Sequence, residues 1–138
     1  MSKIYVLDAC ALIAMLSNEK GADKVVSAYN EAASGSAELV MNIINLLEVY
    51  YGDYRVHGKA AADKMIDMVN MSPIKTIFEI GRDVFAEAGR LKATYKISLA
   101  DSIVLAQSIV LEGELLTADH HEFDAVKGNE PLRFHWIR

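Results

Sequence analysis

Lys3-Ile4-Tyr5-Val6-Leu7-Asp8-Ala9-Cys10-Ala11-Leu12-Ile13-Ala14 is the stretch on which the fold of this 138-residue chain turns. Four β-prone residues run into an acid, and small helix-favouring residues follow. The pattern predicts a strand, a break at Asp8 and a helix. A chain that opens this way is usually α/β, with its first strand near the centre of a parallel sheet. Asp8 then stands at the carboxyl end of that strand, the edge where open α/β sheets bind ligands.

Working outward, the same alternation repeats. Asn18-Glu19-Lys20-Gly21 is a turn, and Ala22 to Ala33 is helical with Val25, Val26 and Tyr29 inward. Glu38 to Ile44 is a second strand, and Asn45 is expected to cap the helix after it. Leu47, Tyr50, Tyr51 and Tyr54 follow at helical spacing and are expected to pack as a stripe. Gly58 breaks the chain before a helix over Ala60 to Asn70, where Met65, Met68 and Val69 form core or a partner surface. Ile74 to Ile77 is a short strand. Glu79 to Tyr95 is a long helix with Val84, Phe85, Ala88 and Leu91 inward. Ser98 opens a helix from Leu99 to Glu112, closed by Gly113 at the C′ place. Glu114 to Thr117 is the fourth strand, Asp119 to Val126 a turn or short helix, and Leu132 to Ile137 an edge strand. This order predicts a parallel sheet with helices on both faces and one domain over residues 1–138.

Composition narrows the function. Apolar residues make up 52% of the chain, enough for a core without metal or disulfide staples. Cys10 is the single cysteine, so no internal disulfide forms, and a cytoplasmic setting is expected. Met1-Ser2-Lys3-Ile4 reads as strand rather than signal peptide, and no apolar run reaches the ~18–20 residues of a membrane span. The net charge of −5, from 14 basic and 19 acidic residues, argues against a general nucleic-acid coat. It leaves room for an enzyme that acts on nucleic acid through a cation held by carboxylates.

Four acids fall at junctions. Asp8 follows the first strand, Glu48 lies in the first turn after the second, Asp101 in the first turn of the helix opened by Ser98, and Asp119 after the fourth strand. Each alone is explained as a helix cap or a partner of the helix dipole. Together they mean more, because a parallel sheet starts every helix that follows a strand at one edge. Gathered carboxylates repel, and a bound cation removes the conflict. Hard oxygen ligands suit Mg²⁺ or Mn²⁺. Lys92, Lys96 and Arg55 are the basic residues placed to meet phosphate; each is otherwise solvated helix surface. Cys10 is expected to be a small buried residue, and His120-His121 a solvated turn rather than a zinc site.

Val6-Leu7-Asp8-Ala9-Cys10-Ala11-Leu12, Asn45-Leu46-Leu47-Glu48-Val49, Leu99-Ala100-Asp101-Ser102-Ile103-Val104-Leu105-Ala106 and Leu116-Thr117-Ala118-Asp119-His120-His121-Glu122-Phe123 resemble, in order and spacing, the blocks of PIN-domain ribonucleases, in particular the VapC-type toxins. The resemblance implies a three-layer sandwich around a parallel sheet of about five strands, and a metal-dependent endoribonuclease that is the toxin of a toxin–antitoxin pair. It implies RNA as substrate, a protein antitoxin, a homodimer and Mg²⁺ or Mn²⁺ as cofactor. Asp8, Glu48, Asp101 and Asp119 match the acidic metal-site positions, with Asp124 the alternative to Asp119. Thr117 matches a hydroxyl position beside the site, and Asn45 stands where relatives carry Thr or Ser. Two other readings are a different Mg²⁺-dependent phosphoryl-transfer hydrolase and a catalytically silent binding module. The first usually wants a second acid two residues after Asp8, where this chain has Cys10. The second need not bind Mn²⁺.

Overall fold

The computed structural model describes residues 3–138. Met1 and Ser2, which the sequence assigns to the first strand, lie outside the described residues. Strands β1 (Lys3–Leu7), β2 (Ala37–Asn42), β3 (Ile74–Ile77), β4 (Glu114–Thr117) and β5 (Arg133–Trp136) form one sheet in the order β3-β2-β1-β4-β5. Every pairing is parallel. Helices α1 (Ala9–Leu16), α2 (Ala22–Ser34), α3 (Ile43–His57), α4 (Lys59–Asn70), α5 (Arg82–Thr94), α6 (Leu99–Val110) and the one-turn α7 (His120–Phe123) make the connections. Among the described residues no helix is long and apolar enough to cross a membrane.

Side-chain alternation on the central strand explains the layers. Tyr5 and Leu7 point into a core shared with Leu12 of α1, Val25 of α2, Val49 of α3 and Met65 of α4. Val6 points the other way, onto Val84 and Leu91 of α5, Val104 of α6 and Phe123. A strand buried on both faces needs a continuous apolar run, which Ile4-Tyr5-Val6-Leu7 supplies. β1 pairs with β2 on one side and β4 on the other. The chain therefore reverses its direction of winding across β1, and the crevice at the carboxyl ends of β1 and β4 is the topological switch point.

Several expected boundaries move. β2 ends at Asn42, not Ile44, because the Asn42 side chain accepts the Ile44 N–H at 3.0 Å and caps α3. Asn45 is not the cap; it sits inside the first turn and is buried. Glu48 consequently falls in the second turn. α5 starts at Arg82 after the uncapped Gly81, three residues later than Glu79. Gly113 is not the left-handed residue that ends α6. Glu112 takes that conformation, with φ 53°, and the Gly113 N–H reaches Ser108 O. Gly113 is needed for a different reason: a Cβ there would stand 3.1 Å from Ile4 O.

Two apolar stripes are narrower than expected, and a third is rotated. Val26 and Phe85 face solvent while their neighbours Val25 and Val84 are buried. On α3 the inward residues are Leu46 and Val49, so Leu47, Tyr51 and Tyr54 are exposed rather than packed. One residue along a helix is a turn of about 100°, and the α3 stripe lies one position from the expected one, whereas on α2 and α5 the expected Val25, Val84, Ala88 and Leu91 are buried. In α4 Met65 and Val69 are core, and Met68 is exposed.

Candidate active site

Asp8 is 4% exposed and caps α1, its Oδ1 accepting the Ala11 N–H at 2.7 Å. Leu7 and Leu116 are register partners, so the next residues, Asp8 and Thr117, meet at the switch point. The Thr117 hydroxyl donates to Asp8 Oδ2 and accepts the Asp119 N–H at 3.0 Å. Asp119 in turn caps α7, its Oδ1 accepting the Glu122 N–H at 3.1 Å. A continuous hydrogen-bonded path thus runs from the end of β1 through the end of β4 to α7.

The other side of the crevice comes from α3 and α6. Ser98 caps α6 by accepting the Asp101 N–H at 3.1 Å, which leaves the Asp101 carboxylate half-buried in the first turn. Asn45 Nδ2 donates to Ala100 O at 3.1 Å and ties the start of α3 to the start of α6. Glu48, one turn beyond Asn45, is half-buried on the same side.

The electrostatics bind these acids into one unit. Burial pushes Asp8 up to about 7; the Thr117 and Ala11 hydrogen bonds oppose this, and the charges of Asp101 and Asp119 add to it. Burial raises Asp101 to about 6, opposed by Ser98 and assisted by Asp119, Glu122 and Glu48. Burial also raises Glu48, with Asn45 holding it down and Asp119 pushing it up. Among the described residues no ion pair involves Asp8, Glu48, Asp101 or Asp119. The fold gathers negative charge here, and among the described residues no Lys, Arg or His pairs with it.

Among the described residues no group of three or more His, Cys, Asp or Glu side chains stands in an arrangement that could hold a metal. Mg²⁺ does not require such a cage, since it keeps several waters and takes one or two carboxylates. The acids here are hard oxygen donors, Asp8 and Asp101 are destabilised in their ionised forms, and Asn45 Oδ1 is buried without a partner. Those features fit a hydrated hard cation.

The remaining candidates separate. Asp124 is exposed and turned to His120, its Oδ1 3.3 Å from His120 Nδ1, and it contributes to none of these shifts. Glu122 does contribute to the rise of Asp101; in the sequence only its three-residue spacing from Asp119, a capping pattern, marks it. Lys92 and Lys96 are exposed, and Arg55 lies over the Tyr51 ring, 5.6 Å from its centroid. His120 stacks on Trp136 with centroids 3.9 Å apart, and its Nε2 lies 2.9 Å from Arg138 O, so it is a fastening of the C-terminal segment. Cys10 is half-buried rather than buried, and desolvation lifts its thiol above the ordinary value, Asp8 adding to the rise.

The PIN domain family model matches residues 5–129. This chain belongs to the PIN domain family. No match was found among curated proteins. Solved structures similar to this PIN domain include VapBC-1 from nontypeable Haemophilus influenzae, at 18% identity and a TM-score of 0.74, covering 97% of this chain and 98% of that one. VapBC2 from Rickettsia felis, solved bound to a DNA fragment from its promoter, has 16% identity and a TM-score of 0.73, with 96% and 98% covered. VapC20 from Mycobacterium tuberculosis, described as a sarcin–ricin loop cleaving toxin, has 13% identity and a TM-score of 0.68, with 89% and 95% covered. The five-stranded parallel sheet between helical layers is the architecture expected of a PIN domain.

Proposed function

We propose that this PIN domain is a Mg²⁺- or Mn²⁺-dependent endoribonuclease, working as one unit in the cytoplasm as the toxin of a toxin–antitoxin pair. The observation that carries the proposal is Asp8: a buried carboxylate at the switch point, lifted to about 7 by desolvation and by acids from two other elements, with no ion-pair partner among the described residues. A buried charge of this kind is retained where something external compensates it.

Asp8 and Asp101 would hold the ion, with Glu48 and Asp119 holding its waters. Thr117 fixes the Asp8 carboxylate through Oδ2 and, by accepting the Asp119 N–H, sets Asp119 beside it. Glu122 adds negative charge at the rim. When bound, such an ion supplies an activated water, neutralises phosphoryl charge and stabilises the leaving oxygen. None of these residues acts as a covalent nucleophile, and Cys10, held as a thiol, is not one either.

RNA as the substrate is supported by the similarity to VapC20. A protein antitoxin is supported by the VapBC complexes among the similar structures. It is supported too by an apolar groove of about 560 Å³ between α1, α3 and α4, lined by Ile13, Leu16, Val49, Val56, Met65 and Met68. Exposed Phe78, Ile80 and Phe85 offer apolar surface for the second copy of a homodimer.

The test is cleavage of single-stranded RNA by purified protein with Mg²⁺, with EDTA, and with Asp8→Asn. Asn caps a helix as well as Asp does, so the variant should fold. Cleavage should need the metal and fall by roughly 100-fold or more in the variant. Undiminished cleavage by Asp8→Asn would remove the assignment.

A further inference from the structure

The outer face of α3 carries residues that the acid cluster does not use. Glu48, Tyr51 and Arg55 follow at steps of three and four, so they line one side of the helix. Tyr51 is 47% exposed and Tyr54 is 45% exposed. Both rings are nevertheless held in place. The Arg55 guanidinium lies over Tyr51. Tyr54 packs edge-on against Tyr50, centroids 5.9 Å apart and planes at 67°. Tyr50 is anchored by its hydroxyl, which donates to Asp63 Oδ1 at 2.7 Å, and Asp63 is paired with Lys59. Arg55 makes no ion pair among the described residues.

We infer that this face of α3 is a stacking track for single-stranded RNA leading to the acid cluster. Tyr51 and Tyr54 take bases, and Arg55 takes a phosphate or stacks beside Tyr51. This deepens the ribonuclease reading above and rests on it. Three features favour RNA over a protein occupant. The track is continuous with the site, since Glu48 belongs to both. From Glu48 to Arg55 it spans about 10 Å at 1.5 Å per residue, the length of roughly three stacked nucleotides at ~3.4 Å each. Pre-positioned rings beside a guanidinium that makes no ion pair among the described residues are the chemistry that binds strands without reading sequence. The contiguous aliphatic groove lies elsewhere, between α3 and its neighbours α1 and α4.

The experiment uses the full chain carrying Asp101→Asn, so that RNA is held without being cut in Mg²⁺. Binding of an end-labelled short single-stranded RNA is followed by fluorescence anisotropy over a range of salt. Adding Tyr51→Ala should raise Kd by roughly 5- to 100-fold, and Tyr51→Phe should leave it within about twofold. Arg55→Gln should reduce the slope of log K against log salt by about 0.7. Equal affinity in the Tyr51→Ala and Tyr51→Phe chains overturns the track. So does loss of a dimer in sedimentation velocity with RNA affinity unchanged, which would make this face an interface between copies. Cleavage by the wild-type chain with no Tyr51 effect removes the track and keeps the nuclease. Tyr51-dependent binding in a chain whose wild type never cleaves keeps the track and removes the nuclease.

Discussion

Asp8 and Glu130 are both carboxylates withdrawn from water, and the fold treats them oppositely. Asp8 is 4% exposed, and the Glu130 side chain is 5% exposed. Glu130 accepts both Arg90 terminal nitrogens and the Tyr95 hydroxyl, which draw it below the usual carboxylate range. Asp8 has only neutral donors, faces other acids, and is lifted to about 7. Glu130 joins the end of the chain to α5 and is complete as it stands. Asp8 has no ion-pair partner among the described residues. An acid's burial therefore says little by itself; what tells architecture from function is whether the fold has provided the opposite charge.

The sharpest way to break that contrast is a pair of isosteric changes. Asp101→Asn should lower RNA cleavage by about 100-fold or more, while metal-free stability at about pH 8 holds or rises, because a repelled carboxylate is gone. Glu130→Gln should do the reverse. Cleavage should stay within about twofold while urea denaturation shows a loss of about 1–2 kcal/mol, modest because Arg90 is partly solvated. Equal destabilisation by both variants would erase the distinction.

Acidity separates the regions next. The folded Asp8 value of about 7 lies above its free value of 3.8, so between them the native state holds a proton that the unfolded chain releases. Its contribution is full below the free value and disappears as pH rises through about 7, with an upper bound of about 4 kcal/mol. Glu130 is shifted down, so its contribution is present above the free value of 4.5 and is lost as pH falls through its depressed value. Thermal melts in EDTA should therefore drop from about pH 5 to about pH 8. Mg²⁺ should restore stability at the higher pH and do little at the lower, because ion and proton compete for one carboxylate. An equal Mg²⁺ gain at both would count against the site.

The smallest effect is expected at Thr117. Thr117→Val removes the donor that opposes the rise of Asp8, so the acid limb of the pH–rate profile for cleavage should move upward by up to about one unit. Stability should fall by about 1 kcal/mol. A limb that stays in place would make Thr117 a spectator.

Much of this was legible before any coordinates. The element order and the junction positions of Asp8, Asp101 and Asp119 follow from periodicity and capping chemistry, which act locally. What escaped was rotational phase and long-range company. Ile43 and Ile44 are β-branched and extend the apolar run of β2, which hid the cap at Asn42 and put Asn45 in its place. α3 is apolar around much of its circumference, so its tyrosines could be assigned to either side. The roles of Glu122 and Glu130 depend on neighbours that only the folded chain supplies.

The bond between Thr117 and Asp8 joins residues 109 positions apart. Such a link closes only after β4 has docked beside β1, and contacts of that span form late. A nascent chain still missing β4 has Asp8 but neither the hydroxyl that steadies it nor Asp119. If the cluster cuts RNA, a ribosome making this protein is spared by its own product until synthesis is nearly finished.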